Sequence, residues 1–205
     1  MIMADFFSVT KDIVLTLTAV TGSYVAVRGL NTWKRQLSGQ VNYNLSKNLL
    51  MGLFKYRDAI NFVRYPIMTL TSDLLPEEGN RLNMNAEEIR FFSVCNAYGQ
   101  RWKDVSEVSF QLYTHLTEAE AIWGDEISHI WKSVQEKEMQ LHSAIREYLD
   151  LKNPNDSYSI SDISQQEYMQ LRRVICEGGR NDAFKKEFED KLNKMISYIR
   201  GKLKS

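Results

Sequence analysis

The sequence predicts an all-α protein in which a single amino-terminal transmembrane helix continues into a helical bundle or an extended antiparallel helical hairpin. Three observations predict this class. Only three prolines and ten glycines punctuate 205 residues, which favours helices. Apolar residues recur at steps of three and four along most of the chain, without the pattern of a strand or of an internal repeat. Near the amino terminus, residues 13–27 carry no formal charge.

Composition and charge narrow the class of protein. With 43% hydrophobic and 25% charged residues, the chain is neither disordered nor wholly embedded in a membrane. The net charge is zero, but residues 1–70 hold eight Lys or Arg against three Asp. This basic excess follows the apolar run directly, where anionic lipid head groups are its natural partner. It is too narrow for a nucleic-acid interface, so we expect a lipid bilayer and no nucleic acid among the partners.

The apolar run is long enough to cross a bilayer once its flanks are included. As a helix it spans about 22 Å, and extension from Phe6 to Trp33 covers the ~30 Å hydrocarbon core. Cations after the run outnumber those before it, so the positive-inside rule places the carboxyl-terminal domain in the cytoplasm. Four residues mark the predicted membrane boundary: Arg28, Trp33, Lys34 and Arg35.

Two other interpretations of this segment stay open. Its threonines, serine and glycine make it only moderately apolar, so it also suits a buried or interfacial helix of a soluble bundle. A cleaved signal peptide is less favoured, because a basic leader and a small-x-small cleavage site are missing.

A strip of small residues runs along the predicted membrane helix. Thr18, Gly22 and Ala26 recur every four residues, and such strips let two membrane helices approach closely. They predict self-association, although small residues are also common in membrane helices that stay single.

After the membrane boundary, the sequence predicts a helix to Pro66 and a new helix from Asn85. Pro66 ends or kinks the first, and Asn85 caps the second with Glu88 as its capping-box partner. The first helix carries an apolar stripe: Leu45, Leu49, Leu53, Tyr56, Ile60 and Val63.

Residues 86–151 contain no proline and form either one long helix or two antiparallel helices. The apolar seam follows coiled-coil steps of four and three: Phe91, Cys95, Tyr98, Trp102, Val105, Ser109, Leu112, Leu116, Ala119 and Trp123. It then changes phase to Ile127, Ile130, Val134, Leu141, Ile145 and Tyr148. Two helices are favoured, because residues 34–66 and 86–118 match in length. The turn then falls near Thr117, where Glu120 completes a capping box, or at Gly124.

The carboxyl-terminal part predicts two shorter helices. Ser164 with Glu167 caps the first, which ends at Gly178–Gly179, and Asn181 or Asp182 starts the second. The predicted organisation has four parts: a membrane anchor with its flanks at 1–33, a helical bundle or coiled-coil region at 34–151, a linker at 152–163, and helices at 164–205 that pack on the bundle.

Four stretches carry a resemblance. They are GLNTWKRQLSG (29–39), KYRDAINFVRYP (55–66), EAEAIWGDEI (118–127) and DAFKKEFEDKL (182–192). In this order they resemble a loose group of uncharacterised bacterial proteins with an amino-terminal membrane anchor and a helical cytoplasmic domain. The resemblance runs along most of the chain and implies a bacterial inner-membrane setting without a specific activity.

The sequence offers few residues in arrangements that could bind a metal or catalyse a reaction. Glu126 and His129 have the spacing that di-metal helical bundles use, and His115 with Glu118 offers a second pair in reverse order. A di-metal site needs more forward motifs than this, so we expect no metal and no cofactor. Nucleophile motifs and phosphate-binding loops are also missing from the sequence, and an enzyme is not favoured.

A polar patch stands out within the first soluble helix. Arg57 and Asp58 are neighbours in sequence and do not face each other, so each is predicted to pair with another helix. Arg64 lies in the same patch among apolar neighbours.

The favoured function is a non-enzymatic, membrane-anchored helical module that binds a protein partner or self-assembles at the cytoplasmic face of the membrane. Two alternatives are kept. One is a soluble all-α protein with a metal or small-ligand site. The other is a toxin-like or defence effector that perturbs membranes.

Overall fold

The computed structural model describes residues 2–66, 72–156 and 160–203, with side chains from residue 15 onward in those ranges except at 72, 162 and 180. Within these ranges the chain forms six α-helices and no strand. The helices are α1 (Ile2–Val63), α2 (Glu78–Arg81), α3 (Ala86–Trp123), α4 (Glu126–Lys152), α5 (Gln165–Ile175) and α6 (Ala183–Lys202). Short 3-10 helices lie at Ser72–Leu74, Ile160–Asp162 and Gly179–Asn181. The all-α prediction is confirmed.

The chain divides into two compact units, one up to Asn44 and one from Leu45 onward. The second unit is a helical bundle, which was one of the two predicted architectures. Its core combines the carboxyl-terminal third of α1 with α3, α4, α5 and α6.

The end of α1 supplies the predicted stripe to this core. All six stripe residues are at most 2% exposed: Leu45, Leu49, Leu53, Tyr56, Ile60 and Val63. The Tyr56 ring lies 5.1 Å from Trp131 of α4 and 6.1 Å from Phe188 of α6. A Cβ at Gly52 would come within 2.8 Å of Leu112 Cδ1 of α3, so glycine allows these two helices to pack closely.

Helices α3 and α4 are separate, as the favoured alternative predicted. The Asn85 capping box is present, with the Asn85 N–H donating to Glu88 Oε2 at 2.7 Å and the Glu88 N–H to Asn85 Oδ1 at 3.0 Å. The turn is at Gly124, whose φ of 91° suits glycine. The capping box at Thr117 is wrong, because the Thr117 hydroxyl donates to the Tyr113 carbonyl inside α3.

The apolar seams of these helices are buried or half-buried throughout. Five of the ten predicted α3 positions are buried: Tyr98, Val105, Leu112, Leu116 and Ala119. The other five are half-buried. In α4, four of the six predicted positions are buried: Ile127, Val134, Leu141 and Ile145.

The carboxyl-terminal helices follow the predicted caps more closely than the predicted ends. The Ser164 capping box is present. Helix α5 ends at Ile175, before the predicted Gly178–Gly179, because Cys176 already has an extended backbone. Asp182 caps α6, and its Oδ1 accepts from the Lys185 N–H at 2.9 Å.

Arg64 joins the end of α1 to the connection between α5 and α6. Its side chain is 1% exposed. The guanidinium donates to the carbonyl oxygens of Val174 at 2.7 Å, Arg173 at 3.0 Å and Cys176 at 3.0 Å, and to Asp182 Oδ1 at 2.9 Å. These bonds satisfy the Nε and Nη2 donors of the guanidinium and link the end of α1 to the end of α5 and to the residue that caps α6.

Asp182 is held ionised by the same arrangement. Burial alone raises the pKa of this carboxyl, but hydrogen bonds from Arg64 and from the N–H groups of Gly178 and Lys185 lower it below the ordinary value. The ion pair therefore contributes to stability above the ordinary Asp pKa and is lost as the pH falls through the lowered one.

A second buried arginine caps the last turn of α1. Arg101 of α3 donates to the carbonyl oxygens of Val63 at 3.3 Å and Tyr65 at 2.7 Å, and it lies 4.8 Å from the centre of the Phe62 ring. Carbonyls at a helix end have no partner inside the helix, and Arg101 supplies one. The helix thus ends three residues before Pro66, as the proline predicted.

Arg57 and Asp58 pair with each other on the surface of α1. The Arg57 guanidinium donates to Asp58 Oδ1 at 3.0 and 2.9 Å, and the two side chains are 40% and 66% exposed. The prediction that each pairs with another helix is wrong. The long arginine side chain bends back to its neighbour, although the two residues leave the helix in different directions.

We expect Arg64→Met to lower the free energy of unfolding by about 3–5 kcal/mol, because it leaves Asp182 buried without its cation. Arg57→Met is the matched control and should change it by less than about 1 kcal/mol, since that pair is exposed. Urea unfolding of the full chain, followed by circular dichroism, measures both. Equal effects of the two substitutions would contradict the assignment.

We expect Gly124→Ala to destabilise the full chain by about 1–3 kcal/mol, because its backbone conformation is one that alanine rarely adopts. Gly99→Ala is the control. Gly99 is exposed within α3 with no atom within 4 Å of an added Cβ, so this change should stabilise the helix by up to about 1 kcal/mol. Thermal unfolding measures the two shifts, and shifts of the same sign would refute the conformational argument.

Candidate functional site

The amino-terminal part of α1 exposes a dense set of apolar side chains. Eleven large apolar residues between 15 and 43 are 40–64% exposed: Leu15, Leu17, Val20, Tyr24, Val25, Val27, Leu30, Trp33, Leu37, Val41 and Tyr43. No described part of the chain buries them. An exposed apolar area of this size is typical of a surface that binds lipid or another protein.

The arrangement of these residues changes along the helix. Between residues 15 and 27 no side is charged, and the small residues Thr18, Gly22 and Ala26 occupy the side opposite Leu17, Val20 and Tyr24. From residue 30 onward, Leu30, Trp33, Leu37 and Val41 lie on one side of the helix, and Tyr43 lies on another. The first stretch therefore suits an apolar solvent all round, and the second suits a helix with one partner.

Two hydroxyl groups of this segment bond to the helix itself. Thr21 donates to the Leu17 carbonyl at 2.7 Å, and Ser23 donates to the Ala19 carbonyl at 2.8 Å. Hydroxyls that bond to a carbonyl one turn earlier need no water. The polar residues that make the run only moderately apolar are thus compatible with a surrounding of low polarity.

The predicted boundary residues follow this stretch on the exposed helix. Arg28, Trp33, Lys34 and Arg35 are all exposed, with Trp33 at 59%. The Arg28 guanidinium lies 5.6 Å from the centre of the Tyr24 ring. The three cations are free to meet anionic groups from outside the chain.

The predicted self-association strip is also uncovered. Thr18, Gly22 and Ala26 are exposed, and a Cβ added at Gly22 would meet no atom within 4 Å. Glycine inside a helix costs about 1 kcal/mol relative to alanine. The fold of the described chain gives no reason for a glycine at this position.

The described helices do not qualify as membrane spans. Across the described residues, no helix combines the length and the apolar character that a crossing requires. The predicted run begins at Ile13, and the side chains of Ile13 and Val14 lie outside the described part of the chain. The transmembrane part of the fold prediction stays a prediction.

The candidate metal ligands form two separate surface contacts. His115 Nδ1 lies 3.9 Å from Glu118 Oε2. His129 faces Asp125 Oδ2 at 3.7 Å, and not the predicted Glu126. Within the described residues, no group of three or more His, Cys, Asp or Glu side chains is placed to hold a metal ion.

A cleft lies where α3 and α4 approach the connection to α5. It has a volume of about 530 Å³. Its lining includes the apolar residues Phe91, Val94 and Tyr148 and the cations Arg90 and Lys152. The cleft lies in the bundle and contains none of the predicted site residues.

A half-buried acid in the bundle was not recognised from the sequence. Glu138 of α4 accepts a hydrogen bond from the Tyr56 hydroxyl at 2.7 Å. Burial raises the pKa of Glu138, although the Tyr56 hydrogen bond and nearby His142 act against the rise. Glu138 could have been recognised from its position one turn after Val134, at the edge of the apolar stripe of α4.

No family model, curated protein or solved structure matches this chain. The resemblance to anchored bacterial proteins therefore stays a prediction. The exposed segment of α1 and the bundle are therefore the features that bear on function.

We expect Glu138→Gln to remove the loss of stability that the parent chain shows as the pH rises. Because the pKa of Glu138 is raised in the folded chain, the parent loses stability as the pH rises above the ordinary value of 4.5. Glutamine keeps an acceptor for Tyr56 and carries no charge. The stability of the variant relative to the parent should therefore rise by on the order of 1 kcal/mol between about pH 4 and pH 7.

Urea unfolding at several pH values measures this difference. Glu147→Gln is the control, since it removes an exposed carboxyl from the same helix and should leave the pH dependence unchanged. If the difference in the free energy of unfolding between Glu138→Gln and the parent stays constant with pH, the assignment of a raised pKa to Glu138 is contradicted.

Proposed function

We propose that this chain is a non-enzymatic, membrane-anchored helical module. The amino-terminal part of α1 lies in the bilayer, and the bundle lies at the cytoplasmic face, where it binds a protein partner or a second copy. The observation that carries the proposal is the uncovered apolar surface of α1 between residues 15 and 33. A bilayer covers such a surface on all sides, whereas one protein partner covers only part of it.

Three features of the described residues support lipid as the surrounding. No charged side chain occurs between residues 15 and 27. The hydroxyls of Thr21 and Ser23 are satisfied inside the helix, as a hydrocarbon environment requires. Trp33 lies among cations directly after the apolar stretch, which is the usual order of groups at a membrane surface.

The same cations support the proposed orientation. Arg28, Lys34 and Arg35 lie on the bundle side of the apolar stretch, and the positive-inside rule places that side in the cytoplasm. Anionic lipids of the inner leaflet then add about 1 kcal/mol of attraction per cation near the surface. Together with the resemblance, this gives a bacterial inner membrane as the proposed location.

The bundle supplies a rigid domain rather than a catalytic centre. Its charged interior groups, Arg64, Arg101 and Asp182, are used in internal bonds. We therefore assign the module a positioning role, in which the anchor holds the bundle near the membrane.

We expect the full chain to stay in the membrane pellet after an alkaline carbonate wash. Leu17→Arg/Val20→Arg should release it into the wash, because each charge near the centre of a bilayer costs about 2.5–3.5 kcal/mol. Gln36→Arg/Gln40→Arg is the matched control in the same helix, beyond the predicted boundary, and should stay in the pellet.

Release of the parent chain by the carbonate wash would overturn the anchor. The soluble alternative would then take its place. Retention of all three proteins would show that residues 17–20 do not lie in lipid.

A further inference from the structure

We propose that the cleft between the start of α3 and the end of α4 binds a small organic anion with an apolar body. Its volume of about 530 Å³ lies in the range of clefts that hold small molecules, about 300–1,000 Å³. The residues that line it all belong to the helical bundle. The inference therefore goes beyond the proposed function and does not depend on the membrane anchor.

The walls of the cleft are fixed by local hydrogen bonds. The capping box of Asn85 and Glu88 holds the start of α3. At the end of α4, the Asn153 N–H donates to the Asp150 carbonyl at 3.2 Å, and Asn153 Oδ1 accepts from the Asn155 N–H at 3.1 Å. A cleft whose walls are already ordered loses little conformational freedom when a ligand binds.

The interior of the cleft is apolar and only partly covered. Its apolar lining comes from Phe91, Val94, Tyr148, Leu151 and Ile160. Leu151 is buried, and the other four side chains are half-buried. The half-buried side chains therefore keep apolar surface that a ligand can cover.

Phe91 shows most clearly what is missing from this interior. It is the first residue of the predicted apolar seam of α3. Val94, Tyr148 and Ile160 pack against the bundle core, whereas Phe91 lies outside that packing in the described part of the chain. A ligand with an apolar, flat body supplies the neighbour that the core does not give to this ring.

Two cations line the same cleft. Arg90 of α3 and Lys152 of α4 are exposed, and neither side chain forms an ion pair or a hydrogen bond with any described residue. Among the described lining residues, Glu87 is the carboxylate that opposes them. The lining therefore carries an excess of positive charge beside its apolar interior.

An anion with an apolar body matches both properties of the cleft. A carboxylate accepts charge-assisted hydrogen bonds from a guanidinium and an ammonium group. The apolar body then covers Phe91 and its neighbours. An apolar interior with a few polar groups that orient the ligand is the usual composition of a small-molecule site.

Photolabelling of the full chain with 4-benzoylbenzoate tests the site. This probe is an aromatic carboxylate, and under ultraviolet light its ketone bonds to nearby C–H groups. The labelling uses whichever cell fraction contains the chain, washed membranes or cytosol. We expect saturable labelling, with adducts at residues 87–94 and 148–154 in the mass spectrum of the digested protein.

A neutral probe separates anion binding from non-specific apolar binding. The matched amide, 4-benzoylbenzamide, should need at least about a ten-fold higher concentration for half-maximal labelling, because it lacks the charge-assisted hydrogen bonds.

Substitution of the two cations provides the second comparison. Arg90→Gln/Lys152→Gln should raise the half-maximal concentration of 4-benzoylbenzoate at least about ten-fold. Lys103→Gln/Arg146→Gln is the matched control, because it removes one exposed cation from each of the same two helices. The control should change that concentration by less than about two-fold.

Four results would overturn the proposed site. They are no saturable labelling, equal half-maximal concentrations for the acid and the amide, no effect of Arg90→Gln/Lys152→Gln, or adducts mainly on the exposed residues 15–43 of α1. The carbonate wash is a separate measurement. A failure of the labelling therefore leaves the anchor standing, and release by carbonate leaves the anion site standing.

Discussion

The buried guanidinium of Arg64 is the constraint on which the bundle depends. It sits at the end of α1 and bonds to three carbonyls around the end of α5 and to the residue that caps α6. A charge without exposure to water is tolerated only where its partners are fixed. This one side chain therefore links the end of α1 to the end of α5 and the start of α6, and apolar packing around Tyr56 and Phe188 holds the same region together.

The helices and most of their caps followed from local sequence. The stripe from Leu45 to Val63, the cap at Asn85 and the turn at Gly124 are each encoded within a few residues, by helical spacing, by a capping box or by a glycine. The ion pair between Arg64 and Asp182 is different, because its partners are 118 residues apart in the chain. The spacing of residues along the first helix indicates that Arg64 lies among apolar neighbours. It does not indicate which other element supplies the carboxylate that pairs with Arg64.

The candidate site could also be predicted in part, because its pattern is local to one helix. Residues 15–43 of α1 form a site through composition along one helix, so the sequence contained their pattern. The errors arose where a side chain had a choice of partner: Arg57 bonds to its own neighbour, and Thr117 bonds back into its helix. Such choices depend on rotamers and on local exposure, which helical spacing does not specify.

Because Asp182 follows Arg64 by 118 residues, their ion pair forms only late in the synthesis of the chain. At ~5–20 residues per second, a ribosome needs on the order of ten seconds to add the chain between these two residues. Throughout that interval the stripe of α1 has neither α6 nor its ion pair, and its leucines are open to other apolar surfaces. A nascent chain of this kind depends on early delivery to its destination or on a chaperone until its last helix emerges.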